Sequence, residues 1–181
     1  MTLVESVRRW AGRLAGASAV ASGVVYLSYV LDPSAEARIT AWNLLIIPPA
    51  LYLGVLVARR GPIVAAISTT AGVVASLLWA FGSRTPSLEP WWIGLAAVWW
   101  LGVGWLLRAD RRRLALFTIL LGVAAAVDFW LTVVNAPMPI YALGGFKIPF
   151  TTIWSVWLGV ALLRDPTLDR TSPEASRAVM P

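Results

Sequence analysis

Asp128, Thr132 and Asn135 stand at i, i+4 and i+7 in the apolar stretch 114–135. This spacing stacks three side chains along one face of a helix. The opposite face carries Phe129 and Trp130 with Val123, Val127 and Val134. A carboxylate taken into a bilayer costs roughly 2.5–3.5 kcal/mol on insertion scales, so it usually faces a cavity, a partner or a bundle interior. Such an acid suits the binding of a cation or of a proton-coupled solute. Counted from Asn135 at 1.5 Å per residue, Asp128 lies about 10 Å below the nearer end of its helix. Tyr26, Tyr29, Asn43, Thr152 and Ser155, on three other apolar stretches, fall at comparable or shallower depths. The expectation is a polar crevice open to the outside, lined by these eight residues and anchored on Asp128. The competing expectation is that tyrosine or threonine hydroxyls cap Asp128, or that it reaches Lys147, for packing alone.

Little else in the chain points to chemistry. There is no cysteine and no histidine, which removes disulfides, thiolate sites, the commonest metal ligand and the usual general base near neutral pH. Only nine acidic residues exist, eight of them outside or at the edges of the apolar runs. No nucleophile has a nearby base, no glycine loop is built to hold phosphate, and no helix carries paired carboxylates. A non-catalytic protein without cofactor or metal is expected.

The elements that must position Asp128 follow from composition. The 181 residues are 59% hydrophobic and 13% charged, with mean hydropathy +0.74. A soluble domain carries about a quarter charged residues, so the chain belongs to the membrane class. Six apolar runs follow one another: 14–31, 41–58, 63–82, 91–107, 114–135 and 148–163. The first is read as a retained span, not a cleaved signal, because its small residues come early and apolar Val24 to Leu31 follow them. Pro48-Pro49 interrupts the second, and neighbours must satisfy the carbonyls that two prolines free. Pro62 is placed to open the third helix. The connection 136–149 carries prolines and glycines, and its stretch Met138 to Phe146 reads as an outer lid. The sixth run is short at 16 residues, which calls for snorkelling ends or a locally thinner bilayer.

The expected fold is all-α, a polytopic membrane bundle of six transmembrane helices arranged as three hairpins. A basic segment, 1–13, precedes it, and a polar tail, 164–181, is expected to be disordered. Six spans put both ends on one side. That side collects Arg8, Arg9 and Arg13; Arg59 and Arg60; Arg108 and Arg111 to Arg113; and Arg164, Arg170 and Arg177, twelve in all, against Arg38, Arg84 and Lys147 on the other. The positive-inside rule then makes both termini cytoplasmic and the membrane the inner, cytoplasmic one. The net charge of +6 is spent on helix ends and not on a basic stripe, so nucleic acid is not an expected partner.

Leu-Gly-Val recurs at 53–55, 101–103 and 158–160, and glycines recur at 23, 72 and 122. Three similar hairpins would give this pattern; so would ordinary membrane composition. Small residues four apart, Gly12 with Gly16, Ala19 with Gly23, Gly72 with Ser76, and Ser155 with Gly159, permit close helix approach inside the chain, or, on the first helix, a homodimer face. Of the 11 tryptophans, Trp10, Trp42, Trp79, Trp91, Trp92 and Trp105 fall near the interfaces, where indoles usually sit. Trp99, Trp100 and Trp157 lie deeper, where they fill a small bundle or wall an apolar cavity. The tryptophan content resembles that of the tryptophan-rich sensory proteins, which bind porphyrins and have five helices. Their Lys-Pro-x-Trp-x-Pro-Pro signature is absent, Pro48-Pro49 being its only echo, so no family follows from it. Two functions remain open: binding or translocation of a small solute or ion, and service as an accessory subunit that packs against other membrane proteins.

Overall fold

The structure is a computed structural model that describes residues 2–32, 36–82, 85–134, 140–166 and 168, side chains at 36 and 140–148 excepted. Six α-helices account for nearly all of it: α1 Leu3–Leu31, α2 Glu36–Ala58, α3 Pro62–Gly82, α4 Glu89–Leu107, α5 Arg112–Val133 and α6 Ile140–Arg164, with one 3₁₀ turn, Pro86–Leu88, before α4. No strand occurs among the described residues. Helices α1 to α5 are long and apolar enough to cross a membrane, and the chain is a multi-pass helical bundle. Its outside is as apolar as its inside: Val55, Ile63 and Phe81 are each more than 70% exposed. Such a surface suits lipid.

Each helix packs along the next from α1 to α5, and α6 closes the ring against α1, with a lighter contact to α5. The seams between successive hairpins, α2 with α3 and α4 with α5, are as extensive as those within them. The molecule is therefore a ring, and its hairpins are not separate units. Lipid tails offer helices no hydrophobic incentive to associate, so close packing must supply it. Glycines provide the approach. A Cβ on Gly159 would lie 2.6 Å from the carbonyl oxygen of Gly16, and one on Gly16 would lie 2.9 Å from that of Gly159. The small residues of α1 named above, Gly12, Gly16, Ala19 and Gly23, are all buried within the chain, covered by α6 and by Tyr52 and Pro166.

Three boundaries differ from the sequence reading. The basic N-terminal segment is helical and forms about the first three turns of α1. Thr2 and Glu5 cap it reciprocally, Thr2 N–H donating to Glu5 Oε2 at 2.9 Å and Glu5 N–H to Thr2 Oγ1 at 3.3 Å. The connection expected over 136–149 is helical from Ile140, with Pro149 inside α6; in lipid, a helix satisfies the backbone that an irregular loop would leave bare. The helix so extended is 25 residues long, against the 16 of the apolar run read from sequence. Of the expected lid, Met138 and Pro139 lie outside the described residues. Of the expected tail, Asp165 pairs with Arg111, Pro166 accepts a hydrogen bond from Tyr52, and Leu168 is buried; residues 169–181 lie outside the described residues.

Helix α2 runs through Pro48 and Pro49 without a break. Pro49 cannot donate to Leu45 O, and Ser18 on α1 fills the vacancy, its hydroxyl donating to Leu45 O at 2.6 Å. The carbonyl satisfaction demanded by the sequence comes from the neighbouring helix.

Both ends of the chain's helical part meet at the arginine-rich end of the bundle. The Tyr52 hydroxyl lies 3.1 Å from Arg8 O and 2.8 Å from Pro166 O, joining the start of α1 to the end of α6. Arg60 pairs with Asp110 and Arg111 with Asp165, tying three turns at that end together. At the other end Arg38 pairs with Asp32 at 3.2 Å.

Candidate functional site

The half of the bundle away from the arginines holds a cavity walled by α2, α3, α4 and α6. Six tryptophans form most of it: Trp42, Trp79, Trp92, Trp99, Trp100 and Trp154. The volume is about 30 Å³, room for roughly two or three waters. Asn43, Ser76, Thr151 and Ser155 supply the polar part of the wall.

Helical spacing sorts these indoles into two tiers. Trp79, near the end of α3, and Trp92, near the start of α4, are half-buried and form the outer rim. Their rings stack 4.2 Å apart. Trp42 meets Trp79 edge-on at 4.6 Å and stacks on Tyr26 at 4.2 Å, and Tyr26 stacks on Tyr29. Seven residues beyond Trp92, about 10 Å deeper, Trp99 and Trp100 stack at 5.8 Å, and Trp154 meets both edge-on. Pairs of this kind each contribute about 0.5–1.5 kcal/mol beyond the area they bury. Trp99 fits because α3 offers Gly72 there: a Cβ on Gly72 would lie 2.6 Å from the Trp99 ring. Below this floor Leu53, Val57, Val103, Leu107, Leu158 and Leu162 are fully buried and fill the bundle.

Hydrogen bonding divides the wall sharply. The Trp154 N–H donates to Thr118 Oγ1 at 2.8 Å, and Thr118 donates in turn to Leu114 O. Ser76 donates to Gly72 O and Asn43 Nδ2 to Ile39 O. The indole N–H groups of Trp42, Trp99 and Trp100 are buried without a partner, as is the hydroxyl of Ser155. An orphaned buried donor costs about 1–3 kcal/mol, and indole can only donate. All four groups belong to residues that line the cavity, but their donor atoms are buried behind its surface, which is almost wholly apolar.

The eight residues singled out in the sequence do not all gather here. Asn43 and Ser155 line the cavity. Tyr26 backs it through Trp42, with Tyr29 behind. Thr152 is half-buried, and its neighbour Thr151 takes the place in the wall. Asp128 is 4% exposed and turned into the bundle, but α5 contributes nothing to the lining. Thr132 donates its hydroxyl to the backbone oxygen of Asp128 at 2.8 Å. Asn135 and Lys147 lie outside what the structure describes. Of the residues expected in the crevice, Asn43 and Ser155 line a cavity walled mostly by indoles, and Asp128 is buried on a helix outside that wall. The sequence placed Trp42, Trp79 and Trp92 at an interface belt; in the structure Trp42 packs on Trp79 and Trp79 on Trp92, across three helices. Among the described residues no three acidic side chains gather to hold a metal ion.

No family model, no curated protein and no solved structure matches this chain.

Proposed function

We propose that this protein is a multi-pass protein of the inner membrane, both termini in the cytoplasm, that binds a small solute in the outward half of its bundle without catalysing a reaction on it. The orientation rests on the arginines: among the described residues, ten (Arg8, Arg9, Arg13, Arg59, Arg60, Arg108, Arg111, Arg112, Arg113 and Arg164) belong to the end where α1 starts and α6 stops. The binding role rests on one observation, the tryptophan-walled cavity in that half. A pocket that is mostly aromatic with a few polar groups is the usual form of a small-molecule site. The filled layer beneath Trp99 and Trp154 closes the inward path, so the arrangement is that of a receptacle and not of an open channel. Helix α6, at 25 residues, serves as the sixth crossing.

A thermal-shift screen of small neutral, anionic and cationic compounds on the detergent-purified protein tests this. Ala96 lines the cavity and is only half-buried, so Ala96→Leu fills the space without burying a polar group. Stabilising compounds are expected to act on wild type and on Asp128→Asn alike, and to lose their effect on Ala96→Leu. A compound that stabilises Ala96→Leu as well as wild type acts elsewhere. One whose effect vanishes with Asp128→Asn moves the site to α5.

A further inference from the structure

We infer that the seam between α5 and α6 is a binding groove for an anionic phospholipid, with its phosphate at Arg113 and Arg164 and an acyl chain along the aromatic strip beside them. The groove lies on a different face of the bundle from the cavity and does not depend on the cavity's being a site.

Two helix faces make the groove. On α5, Arg113, Phe117 and Leu120 stand at i, i+4 and i+7; on α6, Ile153, Trp157 and Arg164 stand at i, i+4 and i+11. Each set shares one face of its helix. The faces meet, because the Phe117 ring lies 5.5 Å from that of Phe150 and 5.8 Å from that of Trp157. The helices run in opposite directions, so the arginine of each face comes at the same end, where Arg111 pairs with Asp165. This is also the seam at which α6 closes the ring with its lighter contact. Leu120, Ile153 and Trp157 are exposed along it, and Phe117 and Phe150 are only partly buried.

Charge sets this strip apart from the rest of the apolar surface. At the same end Arg60 and Arg111 pair with acids, and Arg108 lies over the Trp105 ring, 3.3 Å from its centroid. Arg113 and Arg164 are exposed and have no ion-pair partner among the described residues. A guanidinium offers paired donors that match phosphate oxygens, and basic residues at a membrane surface attract anionic lipid. A free anion would meet the arginines and leave the aromatic strip unused. A zwitterionic lipid would cover the strip and bring no net charge to the arginines. An anionic phospholipid does both, with about 10 Å between Arg113 and Leu120 for the upper part of its chain.

Native mass spectrometry of the full-length protein in detergent counts bound lipids and tests this. Dioleoyl phosphatidylglycerol and dioleoyl phosphatidylcholine have the same chains and differ in charge. The first is expected to bind at least about tenfold more tightly, the worth of two basic residues at a charged lipid surface. Arg113→Gln combined with Arg164→Gln is expected to abolish that preference. Arg9→Gln combined with Arg13→Gln removes the same charge from exposed positions on α1 and is expected to keep it. Trp157→Ala is expected to weaken both lipids several-fold, and a large excess of inorganic phosphate to displace neither. Equal binding of the two lipids, or equal loss in the two arginine pairs, overturns the groove as an anionic-lipid site. Displacement by inorganic phosphate overturns the lipid as its occupant. A mass of two chains that Trp157→Ala reduces to one gives the face to a second copy and overturns it as well.

Discussion

At the scale of single residues, Ser18 shows how a sequence rule becomes a contact. Two consecutive prolines in a membrane helix leave carbonyls that something must satisfy, and the Ser18 hydroxyl reaches one of them, Leu45 O, from α1. Ser18→Ala strands that carbonyl and is expected to cost about 1–2 kcal/mol, read as a lowered unfolding midpoint in detergent. Ser28→Ala, whose hydroxyl bonds only to Val25 O one turn back in its own helix, is the matched control and should change little. The need for such a partner was legible in Pro48-Pro49; its identity was not, because nothing local says which helix lies alongside. The same limit governs the cavity. Asn43 and Ser155 were picked out as polar residues in apolar runs, and both line it. Thr151 and Thr152 differ by about 100° on a helix, and only packing decides which faces inward. Asp128 reads from sequence as a buried acid, and it is buried; that α5 stands outside the cavity wall depends on the order of helices around the ring. Trp99 and Trp100 were read as filling the bundle or walling a cavity, and both line it; Trp42, Trp79 and Trp92 were missed, since an indole near a helix end fits both an interface belt and a wall.

At the scale of elements, helix existence was legible and helix ends were not. Six apolar runs gave six helices. The start of α1 had a usable signal, because Thr2-Leu3-Val4-Glu5 is a capping box, but basic residues after it looked like a separate arm. The start of α6 had none: glycine and proline over 137–149 argue for a loop in water, and only the demand for satisfied backbone in lipid overrides them. The Leu-Gly-Val triplets occupy unlike surroundings. Gly54 faces Thr69 and Gly102 faces Ser68, both on α3, whereas Gly159 faces Gly16 and Val20 on α1. Matched sequence therefore does not mean matched packing here. The crossing of α1 and α6 rests on Gly16 and Gly159 with no side chain between them. Gly159→Ala must push the two backbones apart at a cost of about 1–3 kcal/mol, measured as loss of thermal stability, and Gly159→Leu is expected to prevent recovery of folded protein. A midpoint unchanged by the alanine would show that this crossing is looser than its geometry.

At the scale of the whole molecule, the fold class was legible because composition and run length are set by the bilayer and not by detail. The ring order was not, since hydropathy carries no information about which helices touch. The proposed orientation rests on the arginine asymmetry and is open to a direct check, because the chain has no cysteine. Thr85→Cys and Ala109→Cys place single thiols at exposed positions on opposite ends of the bundle. In intact cells a membrane-impermeant maleimide is expected to label the first, and to label the second only after permeabilisation; the reverse pattern would invert the protein. The ion pairs of the arginine-rich end, Arg60 with Asp110 and Arg111 with Asp165, are partly exposed, so each adds little on its own. Together with Tyr52 they tie the end of α2 and the two turns at 59–61 and 108–111 to both ends of the helical ring.

The stacked pair at the rim has an optical consequence. The Trp79 and Trp92 rings lie only 4.2 Å apart, close enough for their ultraviolet transitions to couple, so the mouth of the cavity carries its own chromophore. A molecule that wedges between them uncouples the pair, while the exposed indoles of Trp10, Trp91 and Trp105 are left as they were. The part of the circular dichroism lost in Trp92→Phe, which leaves the deeper Trp99–Trp100 pair intact, then reads the state of the entrance without any label.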